Sequence, residues 1–179
     1  MFNIVSRPPM YDQDAVQPMR DELTAVGIKE LLTAKDVDEA INVQDDKTVL
    51  VMINSVCGCA AGSARPGVSK ALQNSIIPDK LYTAFAGQER EAVDKVRQYA
   101  SEYPPSSPSV ALFKNGKLIY FMERRNIEGF DADYIAGELK NVFDEHCSAK
   151  GPSISPEDFE KVMYAKMCGS KIPAYKGNA

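Results

Sequence analysis

The run Thr48-Val49-Leu50-Val51-Met52-Ile53 constrains the fold of this chain more than any other stretch. Its apolar side chains follow one another without alternation, so a strand made from it has no polar face to offer water. Both faces must be covered, which is the condition of an interior strand in a sheet flanked by helices on two sides. The strand reads as residues 47–54.

Around this strand, helical and extended patterns alternate. Val16, Met19, Leu23 and Val26 recur at helical spacing ahead of Gly27, so residues 12–26 read as an amphipathic helix. Residues 28–32 make a short first strand. Thr33 with Asp36 forms a shortened capping box ahead of a second helix, whose apolar face is Val37, Ala40 and Ile41. A third helix runs to about residue 73, bent near its second turn by Pro66 and Gly67. Residues 81–86 are the third strand, and residues 89–99 a helix with Ala92, Val93, Val96 and Tyr99 on one face. The loop Tyr103-Pro104-Pro105-Ser106-Ser107-Pro108 stops it. Residues 109–113 and 118–121 flank Lys114-Asn115-Gly116-Lys117, where Asn-Gly suits the positive φ angles of a type I′ hairpin turn. A helix over 131–147, with Ile135, Leu139, Val142 and Phe143 inward, closes the unit. Lys150-Gly151-Pro152-Ser153 reads as a linker to an appended helix, capped by Ser155, with Pro156 first and Phe159, Val162 and Met163 on one side. The expected architecture is α/β, three layers α/β/α with a mixed central sheet. An extra N-terminal helix and a C-terminal helical extension complete it, with residues 1–147 as the domain and 148–179 as linker and extension.

Between the central strand and the third helix lies Cys57-Gly58-Cys59. A strand that delivers Cys57 to the first turn of a helix places it among unpaired amides and the positive end of the helix dipole. Both favour a thiolate over a thiol, and the thiolate is the nucleophile. A second thiol close by can release the mixed disulfide that the first attack forms. With one intervening residue, the ring closed by a Cys57–Cys59 disulfide is tight, so that disulfide is expected to be strained and easily reduced, which suits thiol transfer or isomerisation better than strong reduction. Gly58 tolerates the backbone angles such a ring demands.

Four cysteines in 179 residues, at Cys57, Cys59, Cys147 and Cys168, are too few for a disulfide-built secreted scaffold and fit a reducing compartment. A net charge of −4, from 21 basic and 25 acidic residues, gives no electrostatic footprint for nucleic acid. No apolar run approaches the ~18 residues of a membrane span, and residues 1–9 lack a signal-peptide core. A soluble, cytoplasmic protein is expected. Other readings of the cysteines stay open. Cys57 and Cys59 could be half of a metal site completed by His146, Cys147 or Cys168, although zinc sites usually pair ligands two to four residues apart. They could also be inert core residues on a binding module. His146 reads as helix-end decoration, Cys147 as inward packing, and Cys168 as a helix terminus or a further resolving thiol. Arg65 reads as part of a solvated helix face, with the alternative of supporting a thiolate through its charge, and Arg124 and Arg125 as solvent-exposed beyond the hairpin, with a weaker alternative of holding an anionic small thiol.

A dithiol at a strand-to-helix junction, a proline in the helix behind it and an X-Pro bond just before a hairpin together look like the thioredoxin fold. More narrowly, three segments resemble the bacilliredoxin family of bacterial thioredoxin-like proteins, over roughly residues 8–147. They are Asn54-Ser55-Val56-Cys57-Gly58-Cys59-Ala60, Pro105-Ser106-Ser107-Pro108-Ser109 and Glu123-Arg124-Arg125-Asn126-Ile127-Glu128-Gly129. The resemblance implies a thiol-disulfide oxidoreductase with a Cys-Gly-Cys centre that removes bacillithiol from protein mixed disulfides, with some disulfide isomerase or reductase activity. It makes Cys57 the attacking thiol, Cys59 the second thiol and Pro108 a cis-proline facing them, with Ser107 supplying a backbone edge to an extended substrate. No bound cofactor and no metal is implied. The co-substrate would be a low-molecular-weight thiol such as bacillithiol, the partners thiolated or disulfide-bonded client proteins and an upstream flavin- or nicotinamide-dependent disulfide reductase. Residues 148–179 fall outside the resemblance.

Overall fold

A computed structural model describes residues 6–164 and 172–177 of the chain. Helix α1 (Gln13–Thr24) is capped by Asp12, whose side chain accepts from the Ala15 amide. Strand β1 (Lys29–Glu30) is followed by α2 (Ala34–Ile41), which opens on the expected reciprocal bonds between Thr33 and Asp36. Strand β2 is Thr48–Asn54, and all seven of its residues are buried. Its alternation shows why. Leu50 and Met52 point into one core, shared with α1, with α3 (Arg65–Ala71) and with α6 (Ala132–His146). Val49, Val51 and Ile53 point into a second core with α2 and with α4 (Arg90–Tyr99). The unbroken apolar run is therefore the seam between two cores.

The main sheet has the order β1-β4-β2-β5-β6, with β4 at Lys80–Phe85, β5 at Ser109–Lys114 and β6 at Lys117–Met122. Strand β4 runs parallel to β1 and β2, whereas β5 is antiparallel to β2 and β6 to β5. The turn between β5 and β6 has Asn115 at φ 51° and Gly116 at φ 74°, the two positive values of a type I′ turn. Mixed sheet, crossovers and helices on both faces make this the thioredoxin-like three-layer α/β/α fold.

Four local features depart from the sequence expectation. The bend ahead of Pro66 is a π turn over Ala60–Ala64, in which the Arg65 amide reaches back to the Ala60 carbonyl; Pro66 has no amide with which to continue a regular α ladder. A one-turn helix α5 (Arg124–Ile127) follows β6. Strand β3 (Ile76–Ile77) pairs with β7 (Ala149–Lys150) in a separate two-stranded sheet. The residues that read as a linker are thus docked: the Gly151 amide donates to the Ser75 carbonyl and the Ser153 amide to that of Leu72, each at 2.9 Å. Helix α7 (Pro156–Glu160), capped by Ser155, follows, and Ile154, Phe159 and Val162 pack on the larger core.

Candidate active site

Strand β2 ends at Asn54 and the next helical residue is Gly58, so Cys57 sits at the cap of the helix that begins there. Its carbonyl accepts from the amides of Ala60 and Ala61, at 3.1 and 3.2 Å. Cys59 lies two residues on, and the Cys57 and Cys59 sulfurs are 2.7 Å apart, both half-buried. The Ser55 hydroxyl donates to Cys57 Sγ at 3.1 Å.

These neighbours divide the two thiols. Burial pushes the Cys57 thiol up, but the hydrogen bonds from Cys59, Ser55 and the Ala60 amide, with the Arg124 charge, together hold it below the ordinary thiol value. Cys59 is pushed up to about 11, first by burial and then by the hydrogen bond and the negative charge of Cys57. One sulfur is thus disposed to ionise and the other to keep its proton.

Behind the cysteine loop lies a residue that sequence reasoning places wrongly. Arg65 is completely buried, not on a solvated face, because α1 packs over α3 and brings Glu22 against it. Arg65 Nε donates to Glu22 Oε2 at 2.7 Å, and Nη1 donates to the Ser55 carbonyl at 2.9 Å and to Asn54 Oδ1 at 3.3 Å. Asn54 in turn donates to the Met19 carbonyl and accepts from the Ser55 amide. A fixed cation therefore ties the end of β2, the cysteine loop and α1 together.

In front of Cys57 is an open cavity of about 410 Å³. Ser107 lines it, and the Ser107–Pro108 bond that follows is cis, with Pro108 buried. Arg90, Arg97 and Arg124 line it as well, while Met10 and Tyr11 form one wall. Arg7, also at this cavity, is engaged with Glu91 and Asp94. Arg124 is exposed, as the sequence suggests, yet β6 and α5 also return it to the dithiol, where the weaker alternative would have it, and the sulfurs raise its own affinity for the proton. Arg125 does face solvent, 79% exposed and paired with Glu123 at 2.6 Å.

Of the residues proposed to complete a metal site, Cys147 and His146 do not converge on the cysteines. Cys147 stands beside Thr48, at the opposite end of β2 from Cys57; at ~3.3 Å per strand residue the separation is about 20 Å. His146 precedes it at the same end of α6. Among the described residues, no group of three or more His, Cys, Asp or Glu is placed to hold a metal ion. Cys168 lies outside the described residues. No helix among them is long and apolar enough to cross a membrane.

Comparison with known proteins bears directly on this site. A family model described as disulphide isomerase matches residues 11–147, a span that includes Cys57, Cys59, Ser107, Pro108 and Arg124. A bacilliredoxin of Salinibacter ruber is 48% identical over 143 residues, covering 79% of this chain and 84% of its own. One from Cytophaga hutchinsonii is 51% identical over 136 residues, covering 76% and 99%. One from Staphylococcus aureus is 45% identical over 141 residues, covering 79% and 96%. Among solved structures, mitochondrial thioredoxin 3 of Saccharomyces cerevisiae overlays loosely, with a TM-score of 0.46 and 17% identity over 68% of this chain and 98% of that one. With the family model spanning most of its length and relatives this similar, the chain belongs to the bacilliredoxin family, the disulphide isomerase family of the matching model.

Proposed function

We propose that this protein is a thiol-disulfide oxidoreductase that removes bacillithiol from protein mixed disulfides through Cys57, with Cys59 as the resolving thiol. The observation that carries the reading is the pair of sulfurs 2.7 Å apart at the mouth of a cavity, one held below and the other well above the ordinary thiol value.

In the first step the Cys57 thiolate attacks the bacillithiol sulfur of the mixed disulfide. A new S–S bond forms to Cys57, the client sulfur leaves as a thiolate and takes up a proton from water. No net oxidation occurs. Once Cys57 is in a disulfide its negative charge is gone, and with it two of the influences that raise Cys59; the nearby Arg124 cation remains. Cys59 then ionises more readily, attacks Cys57 Sγ and expels bacillithiol as a thiolate, leaving a Cys57–Cys59 disulfide. Two electrons from low-molecular-weight thiol, restored by an upstream flavin- or nicotinamide-dependent reductase, return the dithiol. The protein itself then needs no bound cofactor.

The arginines support a small anionic thiol as co-substrate. Arg90, Arg97 and Arg124 face the same cavity as Cys57, and guanidinium groups pair with carboxylates in a forked geometry. Ser107, ahead of the cis bond, offers backbone groups beside Cys57 for the client segment. Such chemistry belongs in a reducing cytoplasm.

The test is mass spectrometry of the protein after incubation with a bacillithiolated client. The adduct is expected on Cys57, absent in Cys57→Ser and persistent in Cys59→Ser. Full transfer activity in Cys57→Ser would overturn the assignment.

A further inference from the structure

The family match ends at residue 147, yet the chain beyond it comes back to the dithiol. Residues 172–177 lie antiparallel to the segment around Tyr11, with Ala174 opposite Tyr11. The Asp12 amide donates to the Pro173 carbonyl at 2.8 Å, and the Tyr175 amide to the Met10 carbonyl at 3.0 Å. Ile172, 9% exposed, is buried with Val16, Met19, Val56 and Phe85, and Val56 is the residue before Cys57.

The segment so gripped is the wall of the thiol cavity. Met10 and Tyr11 line it beside Cys57. On its other side this wall is fixed to the loop after β4: the Met10 amide donates to the Gly87 carbonyl at 2.7 Å, and Gln88 exchanges hydrogen bonds with both the amide and the carbonyl of Tyr11. Gly87 has no room for more than a hydrogen, since a Cβ there would stand 2.8 Å from the Tyr11 ring. The wall is therefore held from both sides, and one of the two grips comes from the extension.

We propose that residues 172–177 are a specificity-determining strap, which fixes the Met10–Tyr11 wall and so limits how large a group reaches Cys57 past that wall, while the Ser107 edge stays open to the client segment. This deepens the reading of Cys57 as the exchanging thiol and rests on it. Ile172 is the positioning residue. Its burial and the two backbone bonds are set against the entropy of ordering the strap residues, so the docked state is only modestly favoured and one substitution shifts it. Release uncovers the cluster of Val16, Met19, Val56 and Phe85, of which Val56 adjoins Cys57, and frees one edge of the Met10–Tyr11 segment.

Access to Cys57 can be measured without reference to the exchange reaction. The full-length protein is alkylated with N-ethylmaleimide and, separately, with a maleimide carried on a polymer of several kilodaltons, and modification is assigned to Cys57 by peptide mapping. In Ile172→Asp the ratio of bulky to small reagent rates is expected to rise by about fivefold or more, the response of a two-state docking equilibrium tipped toward release. Tyr175→Pro, which deletes the amide that donates to Met10 and keeps Ile172, is expected to move the ratio the same way, and Ile172→Val to leave it unchanged. An unchanged ratio in folded Ile172→Asp and Tyr175→Pro would overturn the proposal; if Ile172→Asp does not fold, Tyr175→Pro decides. Because alkylation reports access and not transfer, a protein that takes no bacillithiol still shows whether the strap restricts the cavity.

Discussion

Two sulfurs 2.7 Å apart compete for one proton, and the surroundings of Cys57 and Cys59 settle which keeps it. Cys57 gathers the donors: the Ser55 hydroxyl, the Ala60 amide and Cys59 itself. A lowered thiol value means a larger thiolate fraction at neutral pH, so the pH profile of Cys57 alkylation is expected to have its midpoint below that of a free cysteine. Removing a cation works in the opposite direction, and Arg124→Ala should raise that midpoint. Since Arg124 is 46% exposed and screened, the rise should be a few tenths of a pH unit and shrink further as salt is added. A midpoint in Arg124→Ala identical to wild type at low salt would remove this arginine from the site. Cys57, Cys59 and Ser107 are legible in the sequence because short spacing and a proline mark them. Arg124 is legible only as the weaker alternative, because its approach to the sulfurs depends on a hairpin and a one-turn helix folding back. Arg65 misleads for a related reason: an arginine is seldom buried without a partner, and its partner lies 43 positions away, on another helix.

At the level of elements, the contact between α1 and α3 is decided by that pair. Glu22 and Arg65 have side chains with no exposure at all, and an ion pair so placed gains little over a well-packed apolar pair, yet losing one member strands a charge. Glu22→Gln or Arg65→Met alone is expected to destabilise the fold by about 3–5 kcal/mol, whereas Glu22→Leu with Arg65→Met should cost less than either single change. Urea unfolding of the three variants checks this; a double variant as unstable as the sum of its parts would contradict it. The long elements are readable because each carries a full period: the helix over 131–147 expects Ile135, Leu139, Val142 and Phe143 inward, of which three are buried and Val142 is half-buried against the same core. Strands β3 and β7 and helix α5 are two, two and four residues long, too short for any period to register. The π turn is half legible, since Pro66 announces a break without saying that it falls over the preceding turn.

For the molecule as a whole, β2 is the common wall of both cores, and the extension adds to the larger one through Ile154, Phe159 and Val162. Composition around Gly151-Pro152 suggests a linker because glycine and proline are local signals, whereas the docking surface is supplied by α3 and β3, which are remote in sequence. Amide exchange distinguishes the two pictures. The Gly151 and Ser153 amides, bonded to Ser75 and Leu72, should be protected by roughly two to three orders of magnitude, against almost none for a free linker. The sheet has two borders, and they are unequal: β1 contributes two residues and β6 six. A border of two residues offers almost nothing for a foreign strand to pair with, so any growth of the sheet into an aggregate would have to begin along β6. There the ladder slips between Leu112 and Phe113, and Lys117 opens the strand with its charge exposed. Both features work against a flat, apolar template, and the protein's resistance to clumping under mild destabilisation should therefore be governed along that one outer strand.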